Sequence, residues 1–282
     1  STNALKYISE KEYSELVLAS EFLSSLMSAL RLSGGNDSID ARFLAPAAKL
    51  LKIKEKRDLD TQILLVAKTL TAMQKIAVYS RYLLRVAFYR YFSSNLSFKQ
   101  LRASKRAGHF YLINETIYTP LHAKSPDLLN ILEHISTLPD LAFKFHIESI
   151  LYIKNAQASK TSLENAIPIF KKLFFRKNAF WILKALLDGE QLFSLVKPME
   201  HTRHLAQFNK YKYSVDEYSL VCVYELENIT DGYFAKLFES LSEQNKALLK
   251  LTALMHEVAK GQSSDDSKHA IMGANIFRAY MN

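Results

Sequence analysis

The sequence predicts an all-α fold: a multi-helix bundle with one small β-hairpin. Hydrophobic residues make up 49% of the 282 residues, which is enough for a substantial buried core. The chain has only 7 glycines and 6 prolines, so turn signals are sparse. Apolar side chains also recur at helical spacing along most of the chain. Long helices joined by short loops fit these observations better than a many-stranded β fold.

Three helices are predicted in the first 92 residues. The first spans 1–32, where apolar residues approximate a period of 3.6. A glycine-containing loop at 33–38 separates it from a short helix at 40–51. The third helix, at 57–92, has the longest helical pattern in the chain, with a wide apolar face for packing.

The middle of the chain interrupts this helical pattern with a predicted hairpin. Its strands are Phe110-Tyr-Leu-Ile and Thr116-Ile-Tyr-Thr, joined by Asn114-Glu115. Helices are then expected to open at Ser125-Pro126 and at Pro139, the second continuing to about residue 154. Two more are predicted at 162–174 and 179–187, before Gly189.

The last third of the chain predicts four further helices. Ser214 and Glu217 form an expected capping box at the start of the helix at 214–228. The other helices are predicted at 234–241, 242–260 and 274–281. Gly261 follows the third of these as a stop signal.

Composition excludes several classes of protein. Cys222 is the only cysteine, so no intramolecular disulfide and no thiolate zinc cluster can form. No run of eighteen apolar residues and no signal-peptide pattern occurs, so we expect a cytoplasmic protein without a membrane segment.

The formal net charge of +9 raises the question of nucleic-acid binding. The densest basic clusters are Lys52, Lys54, Lys56 and Arg57, then Lys171, Lys172, Arg176 and Lys177. Neither cluster belongs to a recognisable nucleic-acid motif, so nucleic acid is not the expected partner. A basic proteome or a surface for an acidic partner explains the charge equally well.

Three segments near the C-terminus carry a family resemblance. They are YKYSVDEY at 211–218, LTALMHEVAKG at 251–261 and HAIMGA from His269. In this order they resemble the HD-domain portion of the bacterial PII-protein uridylyltransferase/uridylyl-removing enzyme. The upstream helices resemble that family's central helical region, so the resemblance extends over nearly the whole chain. It implies two domains: 1–195, the central helical region, and 196–282, an incomplete HD-like helical lobe.

The resemblance also implies that the chain is a middle fragment of a longer protein. The family begins with a nucleotidyltransferase domain that contains a Gly-Ser loop and paired aspartates. Ser33-Gly34-Gly35 resembles that loop only superficially, because no strand pattern surrounds it. The two small ligand-sensing domains that end the family's chains are not found here either.

In that family the HD site holds a divalent metal that activates water and removes the uridylyl group from a PII tyrosine. The resemblance places His256, Glu257 and Lys260 at catalytic positions, and His256, Glu257 and His269 at metal-binding positions. Tyr218 stands where the family has its first histidine ligand, and Glu257 stands where it has aspartate. The family's last aspartate has no clear match before Asn282.

These departures predict a degenerate and inactive HD-type site. Mn²⁺ or Mg²⁺ is the metal it could bind, but we expect no bound metal. A PII-type signalling protein is the partner that the resemblance implies. Two alternatives remain open at this point: an active phosphohydrolase with the altered ligands His256, Glu257 and His269, and a non-catalytic helical module that binds protein or nucleic acid. His256 could also be an ordinary histidine at a helix C-terminus, and Tyr218 could simply fill the metal's place.

A second group of possible metal ligands is Glu200, His201 and His204. The two histidines are three residues apart and could share a helical face. No further ligand is apparent nearby in the sequence, so we expect a surface pair rather than a metal site.

Overall fold

A computed structural model describes residues 7–35, 39–54, 61–92, 104–120, 123–124, 126–206, 213–262 and 266–281. The chain divides into two compact units. The first comprises Ser1–Phe92 and His201–Glu217, and the second Ser93–Glu200 and Tyr218–Asn282. The predicted domain boundary after residue 195 rests on the family resemblance and stays a prediction.

Three helices form the first unit together with the segment His201–Glu217. They are α1 (Glu10–Leu32), α2 (Ala41–Leu50) and α3 (Thr61–Phe92), close to the predicted spans. Their small core consists of Leu26, Ala29 and Leu30 of α1, Leu44, Ala47 and Ala48 of α2, and Leu65 of α3. Parts of these predictions lie outside the described residues, namely the helix ends at 1–6 and 57–60 and the loop residues 36–38.

A capping box forms at Ser9 and not at the predicted position. The Glu12 backbone N–H donates to Ser9 Oγ (3.2 Å), and the Ser9 backbone N–H donates to Glu12 Oε2 (2.7 Å). Ser214 Oγ, by contrast, is buried and has no hydrogen-bond partner among the residues that the structure describes. The predicted Ser214–Glu217 capping box is therefore wrong.

The predicted hairpin is confirmed, and it belongs to a four-stranded sheet. Its strands are β1 (Lys105–Ala107), β2 (Phe110–Ile113), β3 (Thr116–Tyr118) and β4 (Lys144–Phe145), in that order across the sheet. Asn114 and Glu115 both have positive φ values, 46° and 58°, as a two-residue turn requires. The mostly helical fold with one small β element agrees with the predicted class.

The prediction of a helix that starts at Pro139 is wrong over the first half of that helix. Residues 144 and 145 instead form β4, which pairs in parallel with β3. The Lys144 and His146 backbone N–H groups donate to the carbonyls of Glu115 and Ile117, at 2.9 and 2.8 Å. Strand pairing therefore replaces helical bonds until the helix begins at Ile147.

Eight further helices of the described chain, α4 to α11, follow the hairpin. Their bounds are α4 Leu128–Thr137, α5 Ile147–Lys154, α6 Lys160–Lys172, α7 Ala179–Asp188, α8 Leu192–Leu195, α9 Val215–Glu227, α10 Gly232–Glu239 and α11 Glu243–Met255. The helix α12 (Asp266–Met281) ends the described chain and begins eight residues before the predicted start. The boundary between the two compact units falls within α9, after Glu217. Ser125, Tyr211 and Lys212 of the sequence motifs lie outside the described residues.

The core of the second unit is larger and rich in aromatic side chains. Fully buried members include Phe110, Phe143, Phe170, Phe174, Ile182 and Leu186. Leu251, Leu254 and Met255 of α11 belong to the same core. This packing fixes the C-terminal end of α11, where the predicted site begins. Among the described residues, no helix is both long and apolar enough to cross a membrane.

Candidate functional site

The candidate site lies within the second unit, where three elements bring the predicted residues together. α9 carries Tyr218, the C-terminal end of α11 carries His256, and α12 carries His269. Tyr280 anchors the far end of α12, because its hydroxyl donates to the Leu195 carbonyl (3.1 Å) and its own carbonyl accepts from Lys171 Nζ (2.7 Å).

The helix that carries His256 is shorter than predicted. α11 ends at Met255, and residues 256–261 form consecutive turns. Val258 and Ala259 are buried and hold this segment against the core, and Gly261 ends it with a φ of 75°. Lys260 therefore lies in this turn segment and not in a helix, where the predicted span 242–260 would place it. Its Nζ lies 4.0 Å from Glu257 Oε2.

Glu257 and His269 face each other inside the protein. Glu257 Oε2 lies 3.5 Å from His269 Nε2, and neither buried atom has a hydrogen-bond partner in the described part of the chain. Their separation is within ion-pair distance when His269 is protonated, but it is longer than that of a typical N–H···O hydrogen bond. Sequence spacing alone could not show this pairing.

His256 presents one ring nitrogen outward from its helix end. Its Nδ1 lies 2.7 Å from the Ala253 carbonyl, which can only accept, so Nδ1 carries the proton. Nε2 is then left as a lone-pair donor, the tautomer that metal-binding histidines adopt. It lies 3.9 Å from Glu257 Oε1.

Tyr218 occupies the space beside His256. The two ring centroids are 5.6 Å apart, with an angle of 60° between the ring planes. One turn further along α9, burial raises the pKa of Cys222, although a hydrogen bond with Tyr218 lowers it. The negative charges of Glu257 and Glu225 raise the pKa of this thiol further. Cys222 is thus a protonated neighbour and not a thiolate ligand.

The donor types of His256, Glu257 and His269 suit a divalent metal, but the arrangement does not enclose one. The two imidazoles approach different oxygens of Glu257, at 3.9 and 3.5 Å. Two ligands of one tetrahedral ion would be separated by about 3.4 Å, so each pair alone is compatible with a shared metal. Yet no three histidine, cysteine or acidic side chains converge closely enough to hold a metal in the described ranges. The assignment of these three residues as ligands stays a prediction.

An open groove of about 710 Å³ adjoins this site between α9, α10 and α11. Tyr218, Cys222 and His256 lie at one end, and Phe234 of α10 lines it further along. Its charged lining is acidic, from Glu225 and Asp231, and no lysine or arginine of the described ranges lines it. This lining disfavours a phosphodiester, whose negative charge would meet two carboxylates.

The second predicted group, Glu200, His201 and His204, is not a surface pair. His204 is buried, has a φ of 53°, and its backbone N–H donates to Asp216 Oδ2 (3.0 Å). Its Nε2 lies 3.0 Å from Gln74 Oε1 on α3, so it links two parts of the first unit. Glu200 belongs to the second unit and pairs with Lys197 at 2.5 Å. The prediction failed because residues 203–205 leave the helical conformation after a short 3₁₀ segment.

Comparison with curated proteins finds relatives of one kind. Part of the chain is similar to the bifunctional uridylyltransferase/uridylyl-removing enzyme. The enzyme from Nitrobacter hamburgensis is 26% identical over 131 residues, which is 44% of this chain and 14% of that enzyme. Those from Bradyrhizobium diazoefficiens and Nitrobacter winogradskyi are 27% and 24% identical over 131 and 147 residues.

These similarities cover less of the chain than the motif order predicts. The N. winogradskyi match extends over 48% of the chain, not nearly all of it, and over 15% of that relative. The chain therefore matches about one seventh of the length of its curated relatives. No family model and no solved structure matches the chain.

Proposed function

We propose that this chain is part of a nitrogen-regulation protein related to the uridylyltransferase/uridylyl-removing enzyme, and that its HD-type site does not hydrolyse phosphodiesters. The observation that supports this most directly is the position of Tyr218, whose ring lies beside His256 where the family places a histidine ligand. A neutral phenol is a poor metal ligand, because its pKa is near ~10 and it would have to lose its proton.

Glu257 adds a second departure from the family. Its side chain is one methylene longer than the aspartate it replaces, and an error of about 1 Å is enough to loosen a metal site. The two imidazoles accordingly face different oxygens of the carboxylate. The acidic lining of the adjoining groove is a third feature that disfavours a phosphodiester substrate.

A PII-type signalling protein is the partner proposed for the parent protein, and the cytoplasm its compartment. Both proposals rest on the partial similarity to enzymes that carry the uridylyl-removing name. In this account the lobe keeps the scaffold of a hydrolytic domain and serves in binding or regulation.

The close approach of Glu257 Oε2 and His269 Nε2, at 3.5 Å, favours one alternative, an active phosphohydrolase with altered ligands. A hydrolysis assay separates the two proposals. The purified chain is incubated with bis(4-nitrophenyl) phosphate and Mn²⁺, Mg²⁺ or Zn²⁺ in turn, beside His256→Ala. We expect equal, background rates from both proteins. Metal-dependent turnover that is lost in His256→Ala would overturn the inactive site and establish the alternative.

A further inference from the structure

The first unit contains a groove that the proposed function does not use. It has a volume of about 740 Å³ and lies between α1, α3 and the segment that follows α2. Its floor is apolar and is formed by Leu18, Ala19, Phe22, Ile53, Leu64 and Ala67. Leu18 is 62% exposed, so apolar surface is open to solvent here. We refer to this feature as the lysine-rimmed groove, for the four lysines described next.

In the part of the chain that the structure describes, four lysines and one carboxylate line the groove. Glu15 is already engaged, since it accepts from Tyr79 Oη (2.9 Å) and lies 3.3 Å from Lys75 Nζ. Lys52, Lys54 and Lys68 are exposed and have no ion pair among the described residues. Among the described residues, the rim therefore carries three lysines without an ion pair around an apolar floor.

The shape of the groove follows the surface of two helices. On α1 the lining residues Glu15, Leu18, Ala19 and Phe22 are spaced as one helical stripe. On α3 the stripe runs from Leu64 to Lys75, a rise of about 16 Å at 1.5 Å per residue. Two adjacent helical stripes with an open apolar floor form the kind of groove into which a third helix packs.

We propose that the lysine-rimmed groove binds an amphipathic helix of another protein whose flanks are acidic. The apolar face of such a helix would cover Leu18 and Phe22, and its carboxylates would meet Lys52, Lys54 and Lys68. The net charge of the chain disfavours a second copy of it as the occupant, because two strongly basic chains repel each other. Lys52 and Lys54 belong to one of the basic clusters of the sequence, whose other members, Lys56 and Arg57, lie outside the described residues.

The test uses a synthetic helical peptide of about 18 residues, long enough for several turns, with leucines on one face and glutamates on both flanks. Its fluorescence anisotropy is followed as the full chain is added. We expect saturable binding that weakens with added salt, because screening reduces charge attraction. A counterpart with lysine in place of every glutamate, and a scrambled peptide without the apolar stripe, should not bind.

Matched variants distinguish the contribution of the groove lysines to binding from that of the overall charge of the chain. Lys52→Glu and Lys68→Glu should each weaken binding about three- to tenfold, as charge reversal at an interface rim does. Lys49→Glu makes the same charge change on an exposed residue of α2 outside the groove and should leave binding unchanged. His256→Ala should also have no effect, which separates this result from the fate of the HD-type site.

Several results would overturn the proposal. Absence of binding by the acidic peptide would do so, as would equal weakening by Lys49→Glu and Lys68→Glu. Self-association that Lys68→Glu abolishes would point to a second copy of the chain. Binding of decanoate in place of the peptide would point to a small anionic amphiphile. The thermal unfolding of each variant is recorded beside the titration, so that a change of fold is not mistaken for a loss of contact.

Discussion

Lys250 and Glu227 form a buried ion pair that holds three parts of the second unit together. Lys250 Nζ donates to Glu227 Oε1 and to the Arg176 carbonyl, both at 2.7 Å. Glu227 also accepts from the first backbone N–H groups of α7, those of Ala179 and Phe180. It therefore caps a helix whose own N-cap residue supplies no side-chain bond.

Substitution of Lys250→Met should lower the free energy of unfolding by about 3 kcal/mol, because it leaves a buried carboxylate without its cation. Burial already raises the pKa of Glu227, and Lys250 opposes that rise. Removing Lys250 moves this pKa further above the unfolded value, so the folded state takes up the proton first as the pH falls. The loss of stability should then be largest above the raised pKa and shrink toward about pH 5. Urea unfolding at neutral and mildly acidic pH measures both effects.

The control for this prediction is Glu227→Gln in the Lys250→Met background. A neutral amide keeps one oxygen that can accept from one of the two α7 N–H groups, and it carries no charge, so part of the lost stability should return. A Lys250→Met protein as stable as the parent at neutral pH would show that the pair contributes nothing.

Helix starts show that an S-x-x-E pattern alone does not predict a capping box. Ser9 and Glu12 exchange hydrogen bonds at the start of α1, whereas Ser214 Oγ before α9 makes none. Ser9→Ala should therefore cost about 1 kcal/mol of stability. Ser214→Ala should cost nothing measurable, since it removes a buried hydroxyl that has no partner. Thermal unfolding of the two variants side by side tests the contrast, and equal losses would refute it.

Other elements show where sequence patterns stop being sufficient. The hairpin was predictable because two apolar runs flank Asn114-Glu115, a pair suited to a tight turn. β4 was not, because two residues carry no periodicity and its bonds to β3 join distant parts of the chain. The predicted start of α12 was late, since polar residues at 266–269 give no apolar stripe.

The same limit applies to the candidate site. The family resemblance implied that Tyr218, His256, Glu257 and His269 share one site, and the structure places all four in the second unit. The sequence could not show that Glu257 faces His269, because that contact depends on the chain reversal between α11 and α12. It also could not show that His204 is buried against α3, since that contact spans 130 residues.

At the scale of the whole molecule, the two compact units have separate hydrophobic cores. Leu30 is fully buried in the first and Leu186 in the second. Leu30→Ala should cost about 2–5 kcal/mol through the cavity it leaves. Hydrogen exchange should then rise in α1 to α3 far more than in α4 to α7.

Leu186→Ala is the matched control and should give the reverse pattern. The readout is mass spectrometry of peptides from each unit after exchange. If Leu30→Ala raised exchange equally in both units, the two cores would unfold as one cooperative body.

The central claim is that the HD-type lobe has kept its scaffold and lost its metal site. Calorimetric titration of Mn²⁺ into the full chain tests it most directly, with Tyr218→His/Glu257→Asp and His256→Ala titrated in parallel. We predict that the parent chain and His256→Ala give the same weak heats, and that the double variant gains a saturable site. Tight Mn²⁺ binding by the parent chain that disappears in His256→Ala would contradict the account.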